Sequence, residues 1–132
     1  MKIVNIVLKV LLSLILVTPI LGLTGLFPPP TQDLYNTPEA FRFIETITED
    51  GYISPIMAVV HVLALFCLWT RRTGLAALLI LPITVNVVAF HAFLDGGLLT
   101  AGAVLGNIML AINVYFLWQY RHGYRPLLAQ TS

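Results

Sequence analysis

The chain has 132 residues, of which 58% are hydrophobic and only 10% charged, with a net charge of +1 and a mean hydropathy of +0.91. A soluble domain carries about 25% charged residues, so this chain has too few polar groups to face water on every side, and the bilayer is its natural solvent. The small net charge excludes the basic patch that nucleic-acid binding needs, the length allows a single domain, and the lone Cys67 excludes an internal disulfide or a CxxC redox pair.

The first apolar run covers about residues 6–27. Lys2 and Lys9 give it a basic start, but "TPILGLTGLF" offers no small-x-small cleavage site, so it reads as a retained transmembrane helix. Lys9 is expected to snorkel towards the nearer surface. In the connection that follows, "PPP" at 28–30 is a stiff, extended start. Residues 38–50 then read as a short amphipathic helix, capped by Thr37, opened by Pro38 and followed by Gly51. Ala40, Phe43, Ile44 and Ile47 line one face; Glu39, Arg42, Glu45 and Glu49 line the other. This helix is expected to lie across the outer face of the bundle, either sealing the helix ends or gating a pocket.

The second run spans about 53–69, with Ser54 as its cap and Pro55 in its first turn. Cys67 lies inside it and reads as a small hydrophobe. Thr73-Gly74 separates it from the third run, about 75–93, and caps that run. Asp95-Gly96-Gly97 reads as a tight turn into the fourth, about 98–118. A helix needs about 20 residues to cross a ~30 Å hydrocarbon core, so the second run is a little short. The expected fold is an all-α membrane protein over residues 1–132, a bundle of four transmembrane helices with one short outer helix between the first and second.

Charge sets the expected orientation. Lys2, Lys9, Arg71, Arg72, Arg121 and Arg125 fall at the N-terminus, the second connection or the C-terminus; Arg42 is the exception. All six acids, Asp33, Glu39, Glu45, Glu49, Asp50 and Asp95, fall in the first and third connections. The positive-inside rule then puts both termini in the cytoplasm, and Trp69, Tyr115, Trp118, Tyr120 and Tyr124 fit an interfacial belt at the inner ends.

Polar side chains in lipid are costly unless partnered, so each is expected to face another helix. Helical rise puts His61 about 12 Å, Asn86 about 10 Å and Asn107 about 13 Å below the outer ends of their segments. Three helices thus offer a polar side chain at nearly one level, and these are the candidate ligand-binding or proton-relay residues; interhelical packing is the alternative role, above all for the asparagines. His91 sits about 3 Å from the outer end of its segment, one turn from Asp95, which is placed to accept its hydrogen bond. Pro82 removes the helical donor for the Leu78 carbonyl and is expected to kink the third segment, turning Asn86 inward. Gly102, Gly106 and Asn113 form a small-residue stripe suited to internal packing or to a partner helix. His61 and His91 differ by about 9 Å in depth, which disfavours a bis-histidine haem, and His61, His91 and Asp95 do not cluster as a zinc site would.

Three stretches, "GYISPIMAVVHV" (51–62), "PITVNVVAFHAFLD" (82–95) and "YFLWQYRHGYRPLL" (115–128), carry a family resemblance. The chain resembles the DoxX-like family of small four-helix bacterial membrane proteins over most of its length, from "EAFRFIETITEDGYISPI" to the end. The resemblance implies an inner-membrane bundle, associated in some members with quinone-linked oxidation of sulfur compounds and in others with oxidoreductase assemblies and oxidative stress. Asn86, His91 and Asp95 match the motif. Two departures stand out: His61 replaces an acid common in relatives, and "LTGLFPPP" lacks a lysine that often follows the first helix.

These readings lead to an accessory or membrane subunit of a quinone- or sulfur-linked redox system. A polar pocket in the outer half would hold a quinone headgroup or a small redox metabolite, and electrons would come from a protein partner or a soluble donor, since the sequence shows no redox centre of its own. Catalysis by the isolated chain is not expected. The alternative is a structural or assembly subunit, in contact with a protein partner or with further copies of itself. A solute transporter is the weakest reading, because no inverted repeat is visible.

Overall fold

The structure is a computed structural model that describes residues 1–49 and 51–129. Its long elements are α1 (Lys2–Gly22), α2 (Pro38–Glu49), α3 (Ile53–Trp69), α4 (Thr73–Phe93) and α5 (Ala103–Gln119). Single 3-10 turns at Gln32–Leu34 and Arg121–Tyr124 and a last turn, α6 (Arg125–Leu128), complete it. No strand occurs among the described residues. By length and apolarity α1 and α4, 21 residues each, are able to cross a membrane. The number rises to four if α2 with α3, and α5 with the segment Arg121–Leu128, each count as one bent span.

α4 packs chiefly against α5 and α3, and α1 packs against the same two helices. α1 and α4 therefore occupy opposite corners of a four-helix bundle. The core is aliphatic near the α3–α4 turn, where Leu12, Leu16, Leu68, Ile80, Ile112 and Phe116 are buried together. Ala64, Ala76 and Ala77 lie among them and let the α3 and α4 backbones approach closely. Polar bonds brace this end. The Trp69 indole donates to Ser13 Oγ at 3.0 Å, the Tyr115 hydroxyl to Asn5 Oδ1 at 2.9 Å and the Tyr124 hydroxyl to the Gly74 carbonyl at 2.9 Å.

Several boundaries depart from the sequence expectation. α1 starts at Lys2 rather than near residue 6 and stops at Gly22 rather than 27. The chain turns there, with Leu23 and Thr24 N–H donating to the Ile20 and Leu21 carbonyls, and Gly25 follows at φ +76°. Ser54 is not the cap of α3; it lies inside the helix and its hydroxyl donates to the Ile47 carbonyl at the end of α2. Thr73 is not a cap either but the first, buried residue of α4; the break comes from Arg71, held at φ +64°. α5 begins at Ala103, because Gly96 and Gly97 at positive φ lead into turns through Gly102 rather than straight into a helix. Thr37 does cap α2, accepting the Ala40 N–H at 3.1 Å, and Asp50, the last residue expected in that helix, lies outside the described residues.

The glycine stripe packs internally. A Cβ on Gly106 would stand 3.0 Å from Val87 Cγ1, and one on Gly102 3.3 Å from His91 Cε1. Asn113 continues the stripe and donates to the Ala77 carbonyl at 2.9 Å. Gly106→Val is expected to lower stability to unfolding in detergent by about 1–3 kcal/mol, since it overpacks a closed contact. Gly22→Ala, where a Cβ meets nothing within 4 Å, is expected to change it by less than about 0.5 kcal/mol. Equal unfolding curves for the two variants would contradict this packing.

Candidate functional site

Two polar features occupy the half of the bundle away from the aliphatic core. The first centres on Asp95, just past the end of α4 and 2% exposed. Its Oδ1 accepts the Asn36 N–H at 2.8 Å and its Oδ2 lies 2.9 Å from His91 Nδ1. The Asn36 side-chain amide donates to the Asp95 carbonyl at 3.2 Å, and the Thr37 hydroxyl donates to the Leu94 carbonyl. One carboxylate thus fixes the segment before α2 onto the α4–α5 connection. Gly96 permits this approach: its φ is +85°, and a Cβ there would lie 3.2 Å from Asn36 Cβ.

Aromatic rings wall the group. Tyr35 meets Phe90 edge-on at 6.3 Å, Phe43 stacks on Phe90 at 5.8 Å, and Phe90 meets the His91 ring at 5.0 Å. Burial, reinforced by the Asp95 charge, pushes the Tyr35 phenol above its ordinary value of 10.0. An ionised carboxylate only accepts, so in this pair His91 Nδ1 carries the hydrogen. The side chain of His91 is 14% exposed. The sequence expectation for this pair is met in geometry.

The second feature is His61. It is 2% exposed, and neither ring nitrogen has a hydrogen-bond partner among the described residues. Ser54, Met57, His61, Ala64 and Leu68 recur at helical spacing and share one face of α3. Ser54 and Met57 line a cleft of about 800 Å³ between the end of α1, the "PPP" segment and α2, with Pro19, Pro30, Ile44 and Ile47 on its other walls. His61 lies one turn, about 5–6 Å along the axis, below Met57.

The expected meeting of His61, Asn86 and Asn107 does not occur. Asn86 is exposed and donates to the Pro82 carbonyl at 2.9 Å, one turn back on its own helix. Asn107 donates to the Leu98 carbonyl at 2.8 Å and ties down the turns that precede α5. The cause is phase. Asn86 is two residues beyond buried Thr84, about 200° around the helix, so it shares the outward face of Pro82 and Val85. Pro82 lies exposed within an unbroken α4 and does not turn Asn86 inward. Depth from helical rise fixes a level, not a direction. Asn36 and Tyr35 belong to the site and were not anticipated; a dipeptide ahead of a helix signals a cap but says nothing about a carboxylate 59 residues away. Among the described residues no three His, Cys, Asp or Glu side chains gather around a metal position.

Asp95→Ala leaves the Asn36 N–H and His91 Nδ1 without acceptors and is expected to cost roughly 2–4 kcal/mol of stability, whereas Asp95→Asn, which keeps an oxygen for Asn36, costs less. An absorbance titration of tyrosinate, taken as the difference between the parent and Tyr35→Phe, should show Tyr35 ionising above 10.0. Asp95→Asn should bring it part of the way down, because burial, the larger cause, remains. A raised phenol binds its proton more tightly in the folded state, so native stability falls as pH climbs past the unfolded value of 10.0. An unchanged Tyr35 titration in Asp95→Asn would show that the carboxylate does not act on the phenol.

Comparison of the chain with protein-family models, with characterised proteins and with solved structures gives no match.

Proposed function

We propose that the chain is a DoxX-like, four-pass protein of the bacterial inner membrane with both termini in the cytoplasm, serving as a membrane or accessory subunit of a quinone- or sulfur-linked redox system. α1, α3, α4 and α5 are the four passes, and α2 lies over the outer end. The observation that carries the ligand reading is His61: a buried imidazole with both nitrogens unpartnered is costly in apolar surroundings and calls for a polar guest. A quinone headgroup offers carbonyl oxygens that accept from an imidazole N–H, and the cleft walls of Pro19, Ile44, Ile47 and Met57 suit its apolar body. Met57 lines the cleft one turn above the imidazole, and its flexible thioether chain turns aside more readily than a branched side chain. A quinone held there would supply two-electron, two-proton redox chemistry; the chain itself binds, orients and excludes water. His91, oriented by Asp95, provides proton access at the outer surface. Asn86 and Asn107 are already engaged with backbone carbonyls and take structural roles.

The protein purified in mild detergent is expected to carry an extractable quinone, identified by mass spectrometry. His61→Leu should lose most of it and Asn107→Leu should retain it. Equal quinone in both variants, or none in parent protein taken from quinone-containing membranes, would overturn the ligand reading and favour an assembly subunit, for which the outward amide of Asn86 is the supporting observation. Topology is tested separately. Reporter fusions at Arg72 and after Leu128 should read as cytoplasmic and fusions at Gln32 and Gly97 as external; any other pattern contradicts four passes.

A further inference from the structure

We infer that α4 pairs with α4 of a second copy of this chain, in parallel across a two-fold axis, with the Asn86 amides hydrogen-bonding to each other. The inference rests on the membrane reading above and not on the ligand at His61. Asn86 stands on the exposed face of a 21-residue apolar helix, seven residues short of its end at Phe93, which puts it about 10 Å in. A polar side chain at that depth ordinarily faces protein rather than lipid. The bundle supplies only part of what the amide needs. One N–H goes to the Pro82 carbonyl, while the second N–H and the side-chain oxygen have no partner among the described residues.

The chemistry of the residue selects the occupant. An amide is both donor and acceptor, so it complements an identical amide with two reciprocal bonds, the self-complementary arrangement of a two-fold contact. Two copies inserted in the same direction hold Asn86 at the same depth by identity. A different protein would need its own outward polar group at that level. The flanking face permits close approach. Val85 and Pro82 are exposed beside the amide, Ala89 follows on the next turn, and no Asp, Glu, Lys or Arg lies on α4 between Thr73 and Phe93. The glycine stripe does not compete for this role: Gly106 is buried against Val87, and a Cβ on Gly102 would stand against His91.

The test is cysteine cross-linking in native membranes. Cys67, which is buried, is replaced by Ala, and a single cysteine is placed at Val85 or, as a control on the exposed face of α3, at Val62. Mild oxidation should give disulfide-linked dimer from Val85→Cys well above that from Val62→Cys. Adding Asn86→Leu should cut the dimer yield roughly tenfold, in line with the loss of two interhelical bonds of average strength; Asn86→Gln, which keeps the amide, should preserve most of it. Equal yields at the two positions, or a yield indifferent to Asn86→Leu, overturn the inference, as does a different protein cross-linked at Val85 in place of a second copy. Alkaline washing of the same membranes separates the two levels. Chain that stays in the pellet without cross-linking overturns the pairing alone, whereas chain that washes out overturns the membrane reading beneath it.

Discussion

The carboxylate of Asp95 decides the shape of one half of this protein. Its two oxygens accept from Asn36 and lie against His91, joining elements far apart in sequence that also meet through aromatic contacts on Phe90. The connection from α1 to α3 is otherwise a stiff proline run followed by an amphipathic helix, and neither specifies where it should lie. Once Asn36 and Thr37 are fastened to the Asp95 and Leu94 carbonyls, α2 starts at a fixed point and its apolar face is laid against Phe90. The cleft between α2, the end of α1 and the start of α3 is a consequence of that placement. Its walls do not make it; the fastening does.

How each polar side chain is satisfied separates structural from functional roles. Ser13, Thr18, Thr84 and Asn86 all return a hydrogen bond to a carbonyl one turn back on their own helix. Asn107 reaches a turn carbonyl, and Asn113 reaches across to α4. The hydroxyls are satisfied by these bonds, whereas Asn86 keeps one N–H and its oxygen for a neighbour and Asn113 Oδ1 is buried without a partner among the described residues. His61 has no comparable route. Its imidazole makes no bond back to its own helix, and the surrounding face of Ala64 and Leu68 offers nothing polar. Of the three side chains at one level, it is the one whose burial lacks an internal explanation.

Much of the fold was legible in the sequence, and the limits have physical causes. Apolar runs of near-spanning length gave the helices, and Thr37-Pro38 gave the start of α2 because the cap and first-turn preferences are local. The four-residue spacing of His91 and Asp95 survived because the chain coils on past the end of α4, with the Leu94 and Asp95 N–H both donating to the Phe90 carbonyl. Levels were readable from rise; directions were not, since an apolar helix in an apolar solvent shows little of the amphipathic contrast that marks an inner face in water. That is why Asn86 was expected inside and lies outside. The turns through Gly102 were hidden for a related reason: Leu98 and Leu99 read as helix by hydropathy, while two glycines at positive φ direct the chain otherwise.

The two halves of the bundle are built for different work. Towards the basic termini, aliphatic packing, close-approaching alanines and bonds from Trp69, Tyr115 and Tyr124 hold four helices together. Towards the other end the fastening is uneven. The start of α2 is held through Asn36, Thr37 and Asp95, but near its end the side-chain tie is a 3.3 Å bond from Ser54 to the Ile47 carbonyl, and Gly51 at φ +79° follows. A helix fixed at one end and lightly held at the other yields first at the weak end. That end carries Ile47 and faces Ser54 and Met57, the part of the cleft one turn above His61. On the proposed ligand reading, a lipophilic guest would reach the unpartnered imidazole from this weaker end without disturbing Asp95, and the carboxylate that builds the cleft would not be the group that gives way for it to fill.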